Sequence, residues 1–133
     1  MLLFIDTSDH NGLHFALVPE LGSNKKAKEL KRKLAFNENY KTLELLQKFL
    51  KSNKISPKQL KKIVVCSGPG SFTGIRVGIS LAQAMGFALN IPVSAVAKEK
   101  VPNDLQKLWS LKGTKKLELN YGREPNITIS KQK

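Results

Sequence analysis

Arginine is scarce in this chain. Of its 23 basic residues three are Arg, at 32, 76 and 123, and the rest are Lys. Dedicated readers of phosphates and base edges lean on the planar, bidentate Arg fork, so this scarcity weighs against specific nucleic-acid recognition by the chain alone. Cysteine is scarcer still. The single Cys66 excludes a disulfide scaffold, and its place in an apolar run suits a reducing compartment. Asp and Glu total 10 and His 2, too few and too scattered for an obvious acid–base or metal cluster. At 133 residues there is room for one domain, not for two well-formed ones. The N-terminal MLLFID lacks a basic leader and meets an acid at Asp6, so no secretory signal is expected and the expected address is the cytoplasm.

Charge is abundant but unevenly spread. Residues 1–24 hold three acids and no base, whereas 25–62 hold 13 bases against three acids, within a formal total of +13. Two readings fit the basic middle segment: a solvated Lys-rich surface, or an attraction for polyanions such as RNA or an acidic partner. Val77–Ala97 carries no charge and is long enough to span a bilayer. Asn90-Ile91-Pro92 interrupts it, which favours a buried helix followed by a buried strand and no membrane.

Leu2–Ile5 is an apolar run of the kind found in a strand buried on both faces. Asn11-Gly12 predicts a type I′ hairpin turn, with Leu13–Val18 as the returning strand. Residues 28–36 suit a Lys-rich edge strand, with a helix as the alternative. Apolar residues at 43, 46, 49 and 50 predict a helix over 40–52, capped by Asn37 or Asn39 and ended by Asn53. Ser56-Pro57 predicts one short turn over 57–61. Ile63–Cys66 and Pro92–Val96 read as further buried strands, with a long helix over about 73–89 between them. A helix over 102–112 stopped by Gly113, and a strand around Leu117–Tyr121, complete the pattern. The order implies an α/β fold with a mixed five-stranded sheet and helices packed on it.

The segment from Cys66 to Gly78 (CSGPGSFTGIRVG) joins a buried strand to a helix. Glycines and a helix N-terminus there admit a phosphate, with Asp6, Thr7, Ser8, Gly68, Gly70 and Ser71 as its contacts. The alternative is a sharp turn with close helix–strand packing. The pattern is neither a Walker loop nor a Rossmann fingerprint. Gly74, Gly78, Ala82 and Gly86 recur every four residues as a shallow ridge, on a helix apolar nearly all round. A partner covering that helix is therefore expected. Leu43, Leu46, Leu50, Ile75, Arg76, Ile79 and Gln83 are the expected contacts, and Ile79→Asp is expected to break pairing without unfolding the chain. His10 and His14 have the spacing of a helical metal pair, but Asn11-Gly12 between them predicts a turn, so no metal is expected. Cys66 is expected to be protonated and inert, and Asn126-Ile127-Thr128 is a sequon without a secretory context.

Gly68-Pro69-Gly70-Ser71-Phe72-Thr73-Gly74-Ile75-Arg76-Val77-Gly78 closely resembles the signature of the bacterial TsaB (YeaZ) family, which acts in threonylcarbamoyladenosine modification of tRNA. Leu3–Ser8, Pro92–Val96 and Asn120–Pro125 resemble the family's opening strand, a later strand and its C-terminal tail. The resemblance implies a single actin-like (ASKHA, ribonuclease H-like) lobe over 1–97, with 98–133 as a short helix and tail in place of a second lobe, through a natural internal deletion. It also implies a non-catalytic subunit that activates a TsaD-type transferase acting on tRNA position 37, pairing through the helices at about 40–52 and 73–89. A TsaE-type ATPase, tRNA bound through the complex, and a homodimer in the partner's absence are the further implied associations. No cofactor is implied, with ATP and magnesium only at a shared interface. The alternatives are a nucleotide-binding actin-like protein and a basic tRNA-binding module.

Overall fold

In the computed structural model, which describes residues 1–34 and 38–112, the short apolar runs and the Lys-rich segment at 28–33 become the strands of one sheet. The strands are β1 (Leu2–Asp6), β2 (Gly12–Val18), β3 (Lys28–Lys33), β4 (Lys62–Cys66) and β5 (Val93–Val96), in the order β3-β2-β1-β4-β5. The first three form an antiparallel meander; β4 runs parallel to β1, and β5 parallel to β4. Helix α1 (Thr42–Ser52) links β3 to β4, and α2 (Phe72–Leu89) links β4 to β5. Parallel neighbours require such crossovers, and the helices supply them. This is the expected mixed sheet, with 28–33 settled as the edge strand.

Two apolar layers hold the sheet. On one face Leu3, Ile5, Phe15, Ile63 and Val65 meet Leu46, Phe49 and Leu50 of α1 and Ile75, Ile79 and Ala82 of α2. On the other, Leu2, Phe4, Val18, Val64 and Val96 meet Leu108, with Val101, Leu105 and Trp109 at the margin. Strands β1 and β4 are therefore covered on both sides, which explains their unbroken apolar sequence.

Helix α2 starts at Ser71, whose Oγ accepts from the Gly74 N–H at 3.1 Å, and ends at Asn90 in the left-handed region. The uncharged stretch at 77–97 is thus the rest of a helix plus β5. Helix α1 ends at Asn53, whose Nδ2 donates to the Phe49 carbonyl at 2.9 Å. Ser56 and Gln59 cap each other in the short 3-10 turn Pro57–Gln59.

Two expectations need correction. Neither Asn11 nor Gly12 has positive φ, so no type I′ turn forms there. Residues 7–11 make a longer loop, in which Asp9 Oδ1 accepts from the Asn11 N–H at 3.0 Å. The loop is long because Thr7 and Ser8 are held by α2. The helix expected at 102–112 is instead a 3-10 stretch, Leu105–Ser110. Its last carbonyls turn to the sheet: Lys62 Nζ donates to those of Trp109, at 3.0 Å, and Leu111, and Ser94 Oγ to that of Lys112 at 2.7 Å. The caps proposed at Asn37 and Asn39, the stop at Gly113, the strand at 117–121, the tail motif at 120–125 and the sequon at 126–128 lie outside the described residues and side chains.

Candidate functional site

The carboxyl ends of β1, β4 and β5 converge, the usual place for a ligand in a parallel sheet. Asp6 ends β1. Its Oδ1 accepts from the Ser8 N–H at 2.9 Å and the Ser8 hydroxyl at 2.6 Å. Lys98, just beyond β5, donates from Nζ to Ser8 Oγ at 3.0 Å, with Asp6 Oδ2 3.8 Å away. Sequence reasoning did not find Lys98, because only the parallel pairing of β5 and β4 beside β1 brings it there. Cys66 Sγ lies 3.7 Å from Ser8 Oγ. Burial pushes this thiol's pKa up, and the Asp6 charge adds to the rise.

All six expected phosphate contacts lie in this region, but Asp6, Ser8 and Ser71 bind one another, and the Gly68 carbonyl accepts from the Lys98 N–H. The Ser71 N–H donates to the Ser8 carbonyl at 2.7 Å, and the Thr7 hydroxyl donates to the Gly74 carbonyl. A Cβ on Gly70 would run into Ser8 O, one on Gly74 into Thr7 O, and one on Gly78 into Thr7 Oγ1. The close approach permitted by these glycines is thus taken up by the chain's own β1 end.

The same contacts correct the ridge on α2. Gly74, Gly78, Ala82 and Gly86 face inward, and a Cβ on Gly86 would strike Val93 of β5. Of the seven expected partner contacts, Leu46, Leu50, Ile75 and Ile79 are buried in the chain's own core, Ile79 at 3% exposure. Leu43, Arg76 and Gln83 stand on the surface. The outward face of α2 carries Thr73, Arg76, Ser80, Gln83, Ala84 and Phe87, with Phe87 90% exposed. Arg76 stacks over Phe72 at 5.7 Å. Tyr40, 77% exposed, sits on the 3-10 turn Asn39–Lys41, which packs against α2. Phe87 and Tyr40 escaped the sequence reading, although helical periodicity places Phe87 beside Gln83 and Ala84.

His10 stands in the β1–β2 loop and His14 in β2, where its Nε2 lies 2.7 Å from Glu29 Oε1. Among the described residues no group of three His, Cys, Asp or Glu side chains is placed to share a metal ion. Between the hairpin and Lys98 lies an open depression of about 620 Å³, lined by Asp6, Asp9, His14, Lys31, Lys33 and Lys98 among others.

A mixed sheet led by a β-meander, with helical crossovers to its parallel strands, is the actin-like (ribonuclease H-like) lobe. Comparison with known proteins gives the family. YeaZ from Pseudomonas aeruginosa superposes with a TM-score of 0.63 at 28% identity, over 72% of this chain and 43% of that one. The tRNA threonylcarbamoyladenosine biosynthesis protein TsaB of Bacillus subtilis is 36% identical over 96 residues, 72% of this chain and 40% of the relative. TsaB of Buchnera aphidicola subsp. Schizaphis graminum is 36% identical over 69 residues, 52% of this chain and 32% of the relative. A family model described as TsaD, tRNA N6-adenosine threonylcarbamoyltransferase, matches residues 35–100. The chain belongs to the TsaB (YeaZ) family. It spans 40% or less of the length of these curated relatives.

Proposed function

We propose that this chain is a non-catalytic partner subunit that binds and activates a TsaD-type transferase in the N6-threonylcarbamoyladenosine modification of tRNA position 37. The observation that carries this reading is the outward face of α2. Phe87 stands fully in solvent there, beside Gln83 and Ala84 and in line with Arg76. Aromatic and Arg side chains on one face are typical anchors of a protein interface. The match of residues 35–100 to a TsaD family model supports a partner lobe of related fold. A non-catalytic role is supported by the junction of β1, β4 and β5, where Asp6, Ser8 and Lys98 satisfy one another. In this reading the chain works in the cytoplasm with a TsaE-type ATPase, reaches tRNA through the complex, and self-pairs when the transferase is absent. It holds no cofactor of its own, and ATP with magnesium binds only at a shared interface.

The test is size-exclusion chromatography with light scattering, on the chain with and without the transferase. A one-to-one complex is expected. Phe87→Asp is expected to abolish it while circular dichroism and thermal melting stay unchanged. Separate elution of the wild-type chain overturns the reading. A nucleotide-binding role would instead give calorimetric heat with ATP and magnesium on the isolated chain.

A further inference from the structure

Six of the 13 bases of the middle segment gather at one sheet edge once folded, and the other seven lie from Lys41 onward. Lys41 and Lys48, on the helical side, pair with Glu38 and Glu44. The six at the edge lie in and before strand β3: Lys25, Lys26, Lys28, Lys31, Arg32 and Lys33, all exposed. Among the described residues none of these six is in an ion pair, and the one acid within the strand, Glu29, is turned to His14. Lys31, Arg32 and Lys33 line one side of the open depression; on the other side Asp6 and Asp9 add carboxylates, and Lys98 is held by Ser8 beside Asp6.

We infer that this edge is a binding surface for the sugar–phosphate backbone of RNA. Discouraging edge-to-edge pairing explains lysines along β3 but not six bases within residues 25–33, two of them ahead of the strand and none in an ion pair among the described residues. An acidic protein partner fits less well, because a protein interface needs a desolvated apolar centre. The only apolar side chain of β3, Leu30, is half-buried against the chain's own core. A phosphate backbone needs no such anchor. Compact ammonium charges along a strand roughly 20 Å long suit several phosphates without reading sequence. The surface lies on the sheet edge away from β4 and β5, where α2 packs, so it does not depend on the partner-subunit reading.

Binding of a tRNA transcript to the full chain, followed by fluorescence anisotropy across a salt series, tests this. The triple variant Lys31→Gln, Arg32→Gln, Lys33→Gln is compared with Lys48→Gln, Lys51→Gln, Lys58→Gln, which removes the same charge from exposed sites elsewhere. Both must retain the wild-type melting curve, as their exposed positions predict. The strand variant is expected to lose affinity at least tenfold, and its log–log salt slope to become shallower by about 2 to 3, while the control keeps the wild-type slope. Equal losses in the two variants, or no binding by the wild-type chain at low salt, overturn the inference. So does a strand variant that still binds tRNA but no longer co-elutes with the transferase; that result assigns the edge to an acidic protein.

Discussion

Gly74 shows how much can rest on the absence of one carbon. Its Cα lies against the Thr7 carbonyl, backbone against backbone, so neither side can yield by rotating a side chain. Gly74→Ala is expected to lower unfolding free energy by about 1–3 kcal/mol or more, measured by urea titration, whereas exposed Ser80→Ala stays within about 0.5 kcal/mol. Cys66 gives a second prediction at this scale. Its folded pKa is raised by burial above the ordinary 9.0, so keeping the thiol neutral contributes stability that is complete below that value. The contribution is lost as pH rises through the folded value. Wild-type stability relative to Cys66→Ala is therefore expected to fall once pH exceeds 9.0. At neutral pH, labelling by a thiol reagent is expected to follow global unfolding, since the side chain is 1% exposed.

Among the elements, α2 is the one whose two faces do different work. Its small residues seat it on β1, β4 and β5, and its outward residues are left for a partner. Ile79→Asp places a charge at a site 3% exposed and is expected to unfold the chain, reversing the expectation drawn from spacing alone. Phe87→Asp adds the same charge two turns on and is expected to leave the circular dichroism spectrum intact. Comparing the two spectra checks which face is which. Periodicity made the four-residue ridge legible but could not say which way it faced. That direction follows from Thr7 and Val93, residues distant in sequence that occupy the space above the glycines.

For the molecule as a whole, the second face of the sheet is closed by a segment without an α-helix. Lys62, 6% exposed, holds the carbonyls of Trp109 and Leu111, and burial lowers the pKa of its ammonium. Trp109 in turn donates from Nε1 to the Pro19 carbonyl at 2.8 Å. Trp109 is the only tryptophan, so its emission reports this docking directly. Lys62→Met is expected to shift the emission to the red and admit protease cleavage within 98–112, with far-UV dichroism of α1 and α2 retained. An unshifted spectrum would show that the apolar contact of Leu108 suffices without the clamp.

Four strands and both long helices were legible in the sequence because each follows from local chemistry: unbroken apolar runs for strands covered on both faces, and Asn90-Ile91-Pro92 as the end of α2, whereas 28–36 read as strand or helix. The glycine-rich signature was legible too, as a pattern that makes a close approach necessary. What approaches was decided by tertiary structure. The loop closes on Thr7 and Ser8, Lys98 joins Asp6 across three strand ends, and the lysines of 25–33 collect on one edge while those of α1 lie elsewhere. Spacing along a chain sets which residues share a face of an element. Only the packing of elements sets what that face meets, because the contacts that orient it join residues far apart in sequence.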